Sequence, residues 1–212
     1  MNVNVRSLDL MDELKACQVL VEAFREDPVV AYLTSESSRD PILRCVMSGI
    51  LRYCQPYRHL YGAYTPDGSL VGVAGWMPPH TPLEDLRGWL RVGFYHLPRL
   101  VPVKLWGRWF HFATLIKPSP QPFWSLQILA VHPDYQGQGI GKKLLKPILK
   151  LSEQQGIPCC LETSTLAAMR FYQRQGFAQT VRLHLNDEEL SYWQMERSPQ
   201  FKDSHFQFSP IS

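Results

Sequence analysis

The sequence predicts an α/β domain in which helices alternate with the strands of a sheet, and three observations predict it. The stretch Leu126 to Lys143, L-Q-I-L-A-V-H-P-D-Y-Q-G-Q-G-I-G-K-K, runs from an apolar strand pattern through a glycine-rich turn into an amphipathic helix. Two helical patterns, Leu10 to Phe24 and Ile42 to Tyr53, precede the first long strands. Two hairpin patterns, around Pro66-Asp67-Gly68 and across Asn186-Asp187, supply antiparallel pairs. A chain of 212 residues suits one domain with a sizeable insertion, expected as a domain over 1–197, an insertion at 78–122 and a tail at 198–212.

Val3 to Val5 alternates and suits a short edge strand; Ser7 or Asp9 suits the cap of the next helix. Leu10, Leu14, Cys17, Leu20, Val21 and Phe24 fall at helical spacing, and Asp27-Pro28 ends that helix. Ile42, Val46, Ile50 and Tyr53 repeat the pattern until Pro56. His59 to Thr65 and Ser69 to Met77 read as strands joined at Pro66-Asp67-Gly68, where proline presets φ and Asp-Gly tolerates the left-handed step. Gly72 and Gly75 mark a bulge, a close ligand approach or ordinary packing.

The region from Pro78 to Pro122 reads as an insertion between the third and fourth strands, with helical patterns at Pro82 to Tyr95 and Val103 to Ile116. Its aromatic residues Trp106, Trp109, Phe110 and Phe112 suit an apolar substrate wall, a homodimer contact or a face on the core; flanking Lys104, Arg108 and Lys117 add a membrane-surface alternative. Phe123 to Val131 is the fourth strand. Gly141 to Gln155 is a helix that Pro147 deprives of one hydrogen bond. Cys159 to Thr163 is a short buried strand, and Ala167 to Gln175 a helix closed by Gly176. Phe177 to Leu185 and Leu190 to Glu196 form the last hairpin.

Composition removes several function classes. A net charge of +3 with scattered Lys and Arg gives no nucleic-acid footprint. No apolar run approaches the roughly 20 residues of a membrane span. Asp9, Asp12 and Glu13 do not suit a signal peptide. Cys17, Cys45, Cys54, Cys159 and Cys160 lack C-x-x-C spacing and read as buried reduced thiols rather than disulfides or metal ligands. A soluble cytoplasmic protein without integral membrane association is expected.

Gly137, Gly139 and Gly141 precede a helix whose first N–H groups have no partner within the helix, an arrangement suited to phosphate. The spacing is not G-x-x-x-x-G-K-[ST], because Lys143 follows Lys142, and it lacks the last glycine of a dinucleotide loop. It resembles the Gln/Arg-x-x-Gly-x-Gly/Ala signature of the GCN5-related N-acetyltransferases (GNAT), here Gln136, Gly139 and Gly141. The likeness extends to Leu129-Ala130-Val131-His132-Pro133 before the loop and to Phe171-Tyr172-x-x-x-Gly176-Phe177 after it, and covers Phe123 to Arg197. The run Leu161-Glu162-Thr163-Ser164 resembles the branch with the puromycin acetyltransferases. That branch often has asparagines where Thr165 and Ala168 stand here.

The resemblance implies a central, mostly antiparallel sheet splayed between strands 4 and 5 and flanked by helices. It implies transfer of an acetyl group from acetyl-CoA to an amine, with no metal. Backbone groups of Gly137, Gln138, Gly139, Ile140, Gly141 and Lys142, with Gln136, would hold the pyrophosphate. Leu129, Ala130 and Val131 would meet the acetyl group and pantetheine arm. Tyr172 would protonate the leaving thiolate, and Glu162 would deprotonate the amine through a water. Glu26, Asp27 and Trp109 are candidates for the acceptor side. A small-molecule primary amine is the expected acceptor; a peptide N-terminus or lysine, or a non-catalytic acyl-CoA sensor, are the alternatives.

Overall fold

A computed structural model describes residues 2–81, 96–115, 122–184 and 190–199. The helical pattern at Pro82 to Tyr95, the Asn186-Asp187 turn and all but the first two residues of the expected tail lie outside them. Seven strands form one sheet: β1 (Asn4–Ser7), β2 (Leu60–Tyr64), β3 (Leu70–Met77), β4 (Trp124–Val131), β5 (Cys159–Thr163), β6 (Ala178–His184) and β7 (Ser191–Arg197). Their order is β1-β2-β3-β4-β5-β7-β6, and every pair is antiparallel except β4–β5. The expected mixed sheet and its flanking helices are present.

The helices are α1 (Glu13–Phe24), α2 (Pro28–Leu33), α3 (Arg39–Cys54), α4 (Leu97–Leu100), α5 (Trp106–Leu115), α6 (Ile140–Gln155) and α7 (Leu166–Gln173). Helix α2 corrects the sequence expectation that Asp27-Pro28 merely ends a helix. Proline is preorganised for a first helical position, and Asp27 before it caps a new start. Among the described residues, no helix is long and apolar enough to cross a membrane.

The amphipathic spacing of each helix decides which face of the sheet it covers. Ile140, Leu144, Leu145 and Ile148 of α6 and Tyr172 of α7 join Trp124, Leu126, Leu161, Trp193 and Met195 on one face. On the other, Ala16, Leu20, Leu43, Met47 and Leu51 of α1 and α3 cover Val73, Met77, Ile128 and Ala130. Leu126 and Ile128 have the same parity yet belong to opposite layers. The register explains this: Trp76 pairs with Leu126 and Gly75 with Ile128, so Gln127 is one residue too many on β4. Such a bulge bends the strand and adds twist.

Helix α5, in the stretch expected as an insertion, does not present its aromatic residues on one face. At about 100° per helical residue, Trp109 and Phe112 share one side of α5 and Trp106 and Phe110 another. Trp109 and Phe112 pack against Val29 and Leu33, while Phe110 is 67% exposed. Trp109 also touches the cluster of Ile42, Val101 and Leu105, so it seats α5 on both α2 and α3.

Gly72 is a packing requirement. A methyl there would lie 3.0 Å from Leu144 Cδ1 and 3.2 Å from the Ala130 carbonyl oxygen, where α6 crosses β3. We expect Gly72→Val to cost about 1–3 kcal/mol by overpacking and to lower the melting temperature in thermal denaturation. Gly107 in α5 has nothing within 4 Å of an added methyl, so Gly107→Ala leaves the melting temperature unchanged or raises it slightly.

Candidate active site

The site begins where β4 leaves β5. The two strands pair only at Trp124–Cys159, Ser125–Cys160 and Leu126–Leu161. Beyond the bulge, β4 stays on β3 through Val131, while Glu162 and Thr163 of β5 pair with β7. The wedge between them opens toward the glycine loop. His132 N–H donates to Val71 C=O on the β3 side, at 2.9 Å. Strand alternation therefore turns the backbone of Val131 and Leu129 toward the opening and that of Ala130 toward β3. Ala130 is 5% exposed, with its methyl in the core, so it is not brought to the opening.

After β4 the chain makes a single 3-10 turn, Pro133–Tyr135, and enters the loop. Gln136 Nε2 donates back to Val131 C=O at 3.1 Å, tying the loop to the open edge of β4. Gly137 and Gly139 have φ of 74° and 75°, a left-handed conformation that side chains disfavour. Gly139 is the N-cap of α6 and supplies no side-chain acceptor for the first-turn N–H groups. Gln136, Gly137, Gln138, Gly139 and Lys142 are exposed, and Ile140 is buried and pins the helix start to the core. A helix end with bare donors and positive potential, facing solvent, suits an anion.

Gly141 has a different role. A methyl there would lie 3.1 Å from Cζ of Phe171, so the loop and the Phe-Tyr helix are in direct contact. Tyr172 stands next to that contact, its ring edge-on to Phe171 and Phe177 at 5.1 and 5.8 Å. Burial pushes its phenol well above the ordinary tyrosine range, so it stays protonated. Among the described residues its hydroxyl has no hydrogen-bond partner.

The opposite face of the sheet holds a carboxylate group of contacts. Leu161 faces α6, so Glu162 points the other way, as do Tyr192 and Gln194 of β7. Tyr192 OH donates to Glu162 Oε2 at 2.8 Å. Burial raises the Glu162 pKa, and the Tyr192 hydrogen bond partly offsets it. Burial and the neighbouring carboxylates of Glu162 and Asp27 hold the Tyr192 phenol well above its usual range.

Asp27 is committed to the fold. Its Oδ1 accepts from the N–H groups of Val29 and Val30 at 2.8 and 3.3 Å, and its Oδ2 accepts from Ser164 Oγ at 2.6 Å. Thr165, not Ser164, caps α7, accepting from Ala168 N–H at 3.2 Å. Glu26 is exposed and makes no described contact of this kind. Trp109 donates its indole N–H to Leu33 C=O at 2.8 Å, and Arg108 donates to Tyr32 C=O at 2.9 Å, so α5 is bonded to α2 beside this group. Sequence reasoning missed Tyr192. The available signal was its place on the last hairpin strand, two residues from the partner of Glu162.

The five cysteines are free thiols. Burial pushes Cys54 and Cys160 up to about 12 and Cys159 up to about 11, which leaves them protonated and poor nucleophiles at neutral pH.

Comparison with known proteins agrees with this geometry. Residues 105–179 match the acetyltransferase (GNAT) domain family. An uncharacterised N-acetyltransferase of Schizosaccharomyces pombe is 26% identical over 206 residues, covering 92% of this chain and 83% of its own length. The fold is shared with a histone acetyltransferase HPA2 and related acetyltransferase structure from Corynebacterium glutamicum, at TM-score 0.67 and 22% identity, covering 96% and 99% of the two chains. It is shared too with the PaiA N-acetyltransferase of Thermoplasma acidophilum, solved with coenzyme A, at TM-score 0.56 and 19% identity over 93% and 99%. The domain match and the Schizosaccharomyces pombe relative support an acyltransferase enzyme of the N-acetyltransferase kind, and the solved structures share its fold.

Losing the Asp27 cap is expected to cost about 1–2 kcal/mol in Asp27→Ala, read as a lower melting temperature. Asp27→Asn keeps an acceptor for Val29 and Val30 and should lie close to wild type.

Proposed function

We propose that the protein transfers an acetyl group directly from acetyl-CoA to the primary amine of a small molecule. One observation supports the reading: β4 and β5 stop pairing at Leu126–Leu161, with the bare helix start and Tyr172 on one face of the sheet and Glu162 on the other. A cofactor entering from the loop and an amine entering from the α2–α5 face would then meet across the sheet.

The pyrophosphate would rest on N–H groups of Gly137 to Lys142, with Gln136 holding the loop. Leu129 N–H would polarise the thioester carbonyl, as a donor aimed at developing oxyanion charge does. Val131 would bond the pantetheine arm. Glu162, desolvated and so a stronger base than a solvated carboxylate, takes the amine proton. Nitrogen attacks the carbonyl carbon, the C–S bond breaks, and the thiolate takes the Tyr172 proton. Burial moves the phenol away from an ordinary thiol pKa; the same dry surroundings would raise the basicity of the thiolate. The protonated, buried cysteines support direct transfer over an acetyl-enzyme.

Support for a small acceptor comes from the aromatic residues beside Glu162, with Phe112 edge-on to Tyr192 at 5.5 Å, and from the Leu161 to Ser164 likeness to the puromycin acetyltransferase branch. Asp27 would add negative charge on the acceptor side without freeing an oxygen from the fold, exposed Glu26 would add more, and Trp109 would fix the wall.

Calorimetric titration tests the cofactor assignment: acetyl-CoA and CoA bind, and NAD does not. Absence of CoA binding would overturn it. Thiol release with acetyl-CoA and a panel of tyramine, spermidine and a lysine peptide then tests the acceptor. Glu162→Gln and Tyr172→Phe should each lower kcat by about 10²–10⁴ with CoA affinity kept. Wild-type turnover in either variant removes that residue's role.

A further inference from the structure

We infer that Tyr192 is a positioning residue for the base: it holds Glu162 by one carboxylate oxygen and leaves the other to take the amine proton. The inference rests on the reading of Glu162 as the base. Tyr192 comes from β7, the last strand among the described residues, and no sequence motif singled it out.

The geometry has three parts. The phenol donates to Glu162 Oε2 at 2.8 Å, and Glu162 Oε1 has no hydrogen-bond partner among the described residues. The Tyr192 ring is itself fixed, packed with Val29 and Leu33 of α2 and edge-on to Phe112 of α5. The titratable groups around Glu162 come from each neighbouring element. Among the described residues, Cys160 on β5 and Tyr192 on β7 face Glu162, and Asp27 at the start of α2 faces the Tyr192 phenol. Asp27 and Glu162 both oppose ionisation of the phenol, so Tyr192 remains a donor wherever Glu162 is a carboxylate.

The consequence is directional. A carboxylate desolvated by its surroundings has a raised pKa, and a donor to its charged form brings that pKa back down. Tyr192 thus keeps Glu162 ionised to lower pH than burial alone allows. It also fixes which oxygen faces the amine. During the reaction the N–H bond of the amine breaks and an O–H bond forms at Oε1, while the Tyr192 proton stays on its oxygen.

Tyr192→Phe deletes the hydroxyl and keeps the ring in its packing, so the fold and CoA affinity should survive. The direct readout needs no acceptor: the side-chain carboxyl carbon of Glu162, followed by 13C NMR in glutamate-labelled protein and assigned by its absence in Glu162→Gln. We expect it to titrate at higher pH in Tyr192→Phe than in wild type. With the most active amine of the tyramine, spermidine and lysine-peptide panel, kcat/KM should fall by about 10- to 100-fold on the acid side, the size associated with a hydrogen bond to a charged group. A Glu162 titration unmoved in Tyr192→Phe overturns the inference and leaves the base reading standing. Full turnover in Glu162→Gln removes the base reading instead, whatever the titration shows.

Discussion

The site depends on one extra residue. Gln127 has no partner on β3, and the bulge it makes coincides with the last pairing between β4 and β5 at Leu126–Leu161. A strand that bends there cannot follow its parallel neighbour. Backbone groups of Leu129 and Val131 are left facing an opening instead of another strand. An unpaired edge inside a sheet is costly when buried, because each N–H and C=O wants a partner. Here it opens beside a loop exposed to solvent, and one of its acceptors, the Val131 carbonyl, takes the Gln136 amide. The same bulge moves Ile128 and Ala130 into the α1–α3 layer. The strand that opens the site therefore also stitches the two cores together.

Much of this was legible in sequence because it rests on local chemistry. The loop glycines announce positive φ, the helix after them has period 3.6, and the strands on either side alternate. The Gln-x-x-Gly-x-Gly and Phe-Tyr motifs lie some 30 positions apart, and the structure shows why they belong together: Gly141 is bare so that Phe171 can sit on it. What sequence did not reveal is set by long-range register. The bulge at Gln127 has no residue signature, since Gln127 is an ordinary strand residue to which β3 happens to offer no partner. Helix α2 escaped because Asp27-Pro28 stops one helix and starts another with the same two residues. Tyr192 escaped because its role requires β7 to insert between β5 and β6, an order that a hairpin pattern does not disclose.

A carboxylate after an amphipathic helix reads as a grip for a cationic substrate, and Asp27 also builds the fold. Its three contacts cap α2 and join that cap to Ser164 just past β5. This ties the start of α2 to the strand that carries Glu162. The arrangement also explains how α5 is held. It enters no sheet, and it is held by donors to the Tyr32 and Leu33 carbonyls at the end of α2.

The two titratable groups across the opening are both shifted in the direction that burial dictates, with opposite consequences for chemistry. Desolvation makes Glu162 a better base and Tyr172 a weaker acid. A weaker acid is still useful if the group it protonates is desolvated too, because the thiolate would then be the more penalised charge. The balance at Glu162 is of a different kind. Burial without a donor would raise its pKa further, and a fully solvated carboxylate would be an ordinary, weaker base. A single phenol on a neighbouring strand lies between those limits. Its hydrogen bond offsets part of the desolvation. Its ring is held by the helix pair α2–α5, and the strand register sets its reach to Glu162. In the proposed reaction the strength of Glu162 as a base would depend on the packing around Tyr192 as much as on Glu162 itself.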